Sequence, residues 1–145
     1  MKKIIIAAVI LACCLWANAE EKVIAYAQLP QSAQDFANAN FKDKKLASAL
    51  MDTTLLSMIT EDYKVIYTDG TMLEFDSNGN WKEISAKTSA VPVDLIPEKI
   101  LKYIKENFGG ARVIVLEKDD DGYKVELATK QELKFNNNYI FIGLD

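Results

Sequence analysis

The sequence predicts an α+β fold built as a tandem repeat: a helix followed by an antiparallel β-meander, in two copies, with the helices packed on one face of the sheet. Three observations predict it. Gln28-Leu29-Pro30 to Phe41 is answered by Leu95-Ile96-Pro97 to Phe108, with prolines and phenylalanines both offset by 67 residues. Tyr63-Lys64-Val65 is answered by Tyr123-Lys124-Val125, and Leu73-Glu74-Phe75 by Leu133-Lys134-Phe135, both at an offset of 60. Each proline opens a stretch of helical apolar spacing, and alternation over short runs follows it. Self-similarity of this kind speaks to architecture rather than chemistry. The copies span about 28–84 and 95–145, the first carrying seven additional residues between its helix and its tyrosine strand.

The chain opens on an export signal. Lys2 and Lys3 precede an apolar run from Ile4 to Trp16, and Ala17-Asn18-Ala19 matches the small-x-small rule for signal peptidase. Residues 1–19 are therefore read as a cleaved leader and 20–145 as the exported domain. The apolar run is shorter than the ~20 residues a membrane-spanning helix needs, so no span is expected after cleavage. An alternative lies inside the leader: Ile10-Leu11-Ala12-Cys13 resembles a lipobox, which would make Cys13 the site of a lipid anchor and the protein a lipoprotein. The expected location is otherwise periplasmic or secreted.

Cleavage removes both cysteines, Cys13 and Cys14, and the sequence has no histidine. Thiolate chemistry, Cys/His metal sites and the Ser-His-Asp and Cys-His mechanisms are then excluded. Removing Lys2 and Lys3 leaves 15 basic against 21 acidic residues, a net charge of −6. No basic run tracks a phosphate backbone, so nucleic acid is not an expected partner. No pair of carboxylates stands in an apolar context that would separate their pKa values for acid/base work.

The elements follow in order. Glu20 to Leu29 is a short strand or a linker. Pro30 suits a first helical turn, and Ala33, Phe36, Ala37 and Phe41 form the buried stripe behind it. A strand is expected near Lys45 to Met51, then the surplus segment around Asp52 to Glu61, where Thr53 to Ile59 has no defined path. Tyr63 to Tyr67 and Thr71 to Phe75 alternate across the hairpin signal Asp69-Gly70. Asp76-Ser77-Asn78-Gly79 turns into Trp81 to Ile84. Ser85 to Ala90 is the link. Pro97 then starts a second helix with Ile100, Tyr103, Ile104 and Phe108 inward, stopped by Gly109-Gly110. Val113 to Glu117, Tyr123 to Leu127, Glu132 to Phe135 and Tyr139 to Leu144 are the last strands. Their Lys and Glu residues alternate with apolar ones, which gives one apolar face and one wet face.

These residues carry a family resemblance. Leu29 to Phe36 reads Leu-Pro-x-x-Ala-x-x-Phe, and Tyr63 to Ile84 reads Tyr-x-Val-x-x-x-Asp-Gly-Thr-x-Leu-Glu-Phe-Asp-x-Asn-Gly-Asn-Trp-Lys-Glu-Ile. Both stretches resemble the PepSY-like, beta-lactamase-inhibitor-like family of exported proteins of Bacteroidetes, and the resemblance covers most of Gln28 to Asp145. It implies a periplasmic protein of helix-plus-sheet repeats and no settled activity. The inhibitor in the family name rests on likeness of fold, which does not transfer function.

Two candidate sites remain. Ile140 and Ile142 stand where the first copy has Asn80 and Lys82, so the last strand is apolar on both faces and offers a partner-binding patch unless the N-terminal segment covers it. Asp76, Asn78 and Asn80 supply the first half of a calcium loop, but Ser85 stands where a bidentate Glu would close it. Asp119-Asp120-Asp121-Gly122 is a second acidic turn. The competing explanation for both is that hairpins require Asp, Asn and Gly. Trp81, Tyr67, Tyr123 and Phe141 are read as core rather than as an aromatic binding surface. The expectation is an exported, non-enzymatic binding module of the cell envelope, with no cofactor and with an unidentified protein or envelope component as partner. The alternative is a calcium- or small-ligand-responsive periplasmic sensor, and a third reading is a peptidase inhibitor using Asp52 to Glu61.

Overall fold

The computed structural model describes residues 20–53 and 61–145. The predicted leader, with Cys13, and most of the surplus segment lie outside the described residues. The chain runs β1 (Glu20–Ile24), α1 (Gln31–Asn40), β2 (Leu46–Thr53), β3 (Glu61–Tyr67), β4 (Met72–Phe75), β5 (Trp81–Ser85), α2 (Glu98–Asn107), β6 (Val113–Lys118), β7 (Gly122–Leu127), β8 (Glu132–Asn136) and β9 (Phe141–Leu144). A short 3-10 turn precedes each helix, at Tyr26–Gln28 and Val93–Leu95.

The expected pair of helix-then-meander copies is not what forms. All the described strands make one continuous nine-stranded antiparallel sheet in chain order, accompanied by two helices. β5 pairs directly with β6 through Glu83↔Glu117, Ile84↔Leu116 and Ser85↔Val115, so no boundary separates two sheets. The lead-in also joins the sheet, as β1 on β2. The physical reason is the backbone. Two separate meanders would each leave an unpaired row of N–H and C=O groups at β5 and β6, and pairing the two rows satisfies both. Part of the surplus lengthens the β2–β3 pair, where Asp52 faces Asp62 and Thr53 faces Glu61.

Both helices lie against the same side of this sheet. Each starts on a proline N-cap, Pro30 and Pro97. Such a cap offers no side-chain acceptor; in α1 the Pro30 carbonyl accepts from the amides of Ala33 and Gln34 at 3.0 and 3.1 Å, and the Gln34 side chain donates back to the carbonyl of Leu29 at 2.9 Å. α1 buries Ala33 and Ala37, and α2 buries Ile100 and Ile104. Opposite them a single row of cross-strand partners crosses the sheet: Val65, Leu73, Ile84, Leu116, Val125 and Leu133. All six are essentially inaccessible to water.

The aromatics pack between the layers. Phe36 meets Phe75 edge-on at 5.9 Å and stacks on Trp81 at 6.2 Å, while Tyr103 stacks on Phe141 at 4.7 Å. Tyr67 stacks on Phe41, and burial pushes its hydroxyl up to about 12, helped by Tyr26 and Asp69.

Candidate functional site

The acidic turns of the sequence owe their composition first to hairpin geometry. Asp76 Oδ1 accepts from the amides of Asn78 and Asn80, both at 2.9 Å, and the Asn80 side chain donates to Asp76 Oδ2 at 3.1 Å. Desolvation pushes the Asp76 carboxyl up. The hydrogen bonds from Asn80 and Asn78, with the charge of Lys82, outweigh it and hold the group below its ordinary value. Asp119 Oδ1 accepts in the same way from Asp121 and Gly122, at 2.8 and 2.9 Å. Gly79 has φ +81, and a Cβ there would lie 2.2 Å from Ser32 Oγ, which donates to the carbonyl of Asn78 at 2.7 Å. The turn therefore seats directly on the start of α1.

What the sequence could not show is that the two acidic turns, far apart along the chain, border one cleft. The β5–β6 ladder is only three pairs long, and the strands part beyond Glu83 and Glu117. The gap holds about 520 Å³ and is lined by Glu74, Asp76, Glu83, Glu117, Asp119 and Asp120, with Trp81, Lys82 and Lys118 among its other walls. Asn80 lines it too; Asn78 does not.

Its centre is electrostatically loaded. Glu74, Glu83 and Glu117 are direct cross-strand partners on three adjacent strands. Burial raises the Glu83 carboxyl above its ordinary value, and the charges of Glu74 and then Glu117 add to that. An ionised Glu83 therefore works against the folded state at neutral pH, and that burden is relieved as pH falls through its raised folded value. Among the described residues no group of three or more carboxylates converges to hold a metal ion.

The other predicted patch sits at the far edge of the sheet. Ile140 and Ile142 are 59% and 60% exposed, and Leu144 joins them at 63%. Among the described residues β9 pairs only with β8, and its register shifts so that Phe135 faces Phe141 while Lys134 faces Gly143. Ile142 is thus the extra residue of a bulge. The N-terminal strand β1 lies at the opposite edge, on β2, and does not cover this patch. The two candidate sites are therefore separate surfaces.

A model of the family described as beta-lactamase-inhibitor-like, PepSY-like matches residues 61–143. Three solved structures from Bacteroides are similar over nearly their whole length. One, described as a calcium-regulated periplasmic protein of Bacteroides thetaiotaomicron, is 39% identical with a TM-score of 0.81, covering 86% of this chain and 96% of its own. A second, a periplasmic protein of the DUF2874 family from Bacteroides vulgatus, is 40% identical with a TM-score of 0.80, covering 87% and 97%. A third, a periplasmic protein of unknown function from Bacteroides vulgatus, is 31% identical with a TM-score of 0.80, covering 87% and 99%. No curated protein matches. Among the described residues no helix is long and apolar enough to cross a membrane. With this match over more than half its length, and with relatives of such coverage and identity, the chain belongs to the PepSY-like, beta-lactamase-inhibitor-like family.

Proposed function

We propose that this protein is a non-catalytic binding module of the periplasm that engages a macromolecular partner through the open edge at β9. The observation that carries this reading is the exposure of Ile140, Ile142 and Leu144 together on a strand whose outer edge meets no described strand. Proteins ordinarily defend such an edge with charge, proline or a covering element. Here Tyr139 to Leu144 contains no charge, and Asp145 is engaged by Lys134 at 2.6 Å. The periplasmic description of the three similar structures supports the location.

The test is a photo-cross-linking amino acid at position 144, installed in the wild type and in an Ile140→Asp, Ile142→Asp variant. Both replaced side chains are exposed, so each substitution should leave stability within about 0.5 kcal/mol. A discrete periplasmic adduct, reduced at least about tenfold in the folded variant, is the expected result. An adduct pattern that the folded variant leaves unchanged removes β9 as the docking edge.

A second reading is favoured by the acidic cleft and by the description of one similar structure as calcium-regulated. In it the protein senses calcium, gathered from the Asp76 and Asp119 sides. It predicts a thermal midpoint that rises with the logarithm of millimolar calcium, and not with magnesium. The increment should vanish in Asp76→Ala, whose own midpoint is lower for loss of the turn cap. A midpoint indifferent to calcium counts against this reading and leaves the first.

A further inference from the structure

The sheet face turned away from the helices carries a pattern that the β9 edge does not use. Lys64, Glu74, Glu83, Glu117 and Lys124 are successive cross-strand partners through its middle. Three carboxylates thus stand side by side on strands ~4.8 Å apart. Like charges directly opposed destabilise a sheet. Lysines flank the two ends of the row, Lys64 at 3.6 Å from Glu74 (and 2.6 Å from Glu21) and Lys124 at 4.0 Å from Glu117. Glu83, in the centre, has no ion pair among the described residues.

One row along on the same face, Ile66, Met72, Ser85 and Val115 are partners in turn. A sheet face that meets only water is polar at these positions. Ile66, Met72 and Val115 are partly exposed, with the small side chain of Ser85 buried between Met72 and Val115. Where the β5–β6 ladder ends, the cleft already seats a cation of the protein's own: Lys118 Nζ lies 5.8 Å from the centre of the Trp81 ring.

We propose that this face docks a protein segment rich in Lys or Arg and in apolar residues, its cations over Glu74, Glu83 and Glu117 and its apolar side chains over Ile66, Met72 and Val115. Charge complementarity selects that occupant. An anionic lipid surface or a nucleic acid would be repelled by the glutamate row. A bare divalent ion would find, among the described residues, no three carboxylates converging on one point. A basic segment spreads its charge at the spacing of the row and covers the apolar stripe as well. The inference rests on reading the chain as a binding module, but it uses a different surface from β9.

The test uses the chain from Glu20, which holds every described element and in which Trp81 is the sole tryptophan. Trp81 fluorescence is titrated with a capped peptide of alternating Lys and Val, with a Glu-Val peptide, and with calcium chloride. The Lys-Val peptide should give a saturable change, with Kd rising about tenfold as salt is raised from roughly 50 to 300 mM. The Glu-Val peptide should give none. The pair Glu83→Gln, Glu117→Gln, which relieves repulsion and so keeps the fold, should raise Kd about tenfold again.

Binding should persist in the Ile140→Asp, Ile142→Asp variant, so the β9 edge and this face can fail separately. Equal responses to the two peptides, no response to either, or a Kd indifferent to the glutamine substitutions would overturn the proposal. A calcium response without a peptide response would overturn it in favour of the sensor reading.

Discussion

Replacing Gly122 by alanine should lower the stability of the protein by about 3 kcal/mol or more, at or above the top of the ordinary range for single substitutions. The residue opens β7 at φ +148, a conformation that side chains rarely adopt, and a Cβ there would lie 2.1 Å from the carbonyl oxygen of Phe135. The carbonyl carbon and Cα of Asn136 would stand 2.8 Å away. These are backbone atoms of β8, held in place by the pairs Gly122↔Asn136 and Tyr123↔Phe135, so nothing flexible can give way. Strain and overpacking then act together. Gly70 is the control. It has φ +85 with nothing within 4 Å of a built Cβ, so Gly70→Ala isolates the backbone penalty, about 1 kcal/mol. Urea denaturation of the two variants decides the matter. A Gly122→Ala protein no less stable than Gly70→Ala would mean that β7 and β8 part more easily than their register implies.

Leu116→Ala should cost about 2–5 kcal/mol, the range for emptying a fully packed leucine site. Leu116 is 0% exposed and sits in register between Ile84 and Val125, on the helix side of the β5–β6 seam. The stronger claim concerns cooperativity. One core cluster runs from Leu29 to Phe135 across the seam, so weakening the seam should destabilise the whole sheet rather than one end of it. Trp81 fluorescence, reporting from β5, and far-UV circular dichroism, reporting on all strands, should trace one coincident transition in wild type and variant alike. Two separated transitions would mean that the regions on either side of β5–β6 unfold independently.

The elements of this fold were largely legible in the residues, because their signals are local. Pro30 and Pro97 mark helix starts through a missing N–H that a first turn does not need. Asp69-Gly70 and Asp76 to Gly79 mark hairpins through the positive φ of Gly70 and Gly79. Alternation in Tyr123 to Leu127 shows which side chains face the core, because successive residues of a strand point to opposite faces. The strand expected near Lys45 to Met51 forms as β2 and runs on to Thr53. Ile140 and Ile142 were legible as an apolar excess on a wet face, and they are exposed.

What the residues did not disclose is how these elements join. Similarity between two stretches suggested two meanders, yet β5 and β6 close into one sheet of nine strands, with β1 added at the far edge. The reason is that ladder pairing is made by backbone groups that every residue carries, so the identity of a strand's neighbour leaves little trace in its side chains. The glutamate row and the cleft have the same origin. Glu74, Glu83 and Glu117 are unremarkable alternating charges in sequence, and they become one row only because three strands lie side by side in that register. Local chemistry in the chain determined which residues face inward and where the strands turn. The long-range satisfaction of backbone hydrogen bonds, which only the tertiary structure expresses, decided which strands lie together and hence where the charge gathers.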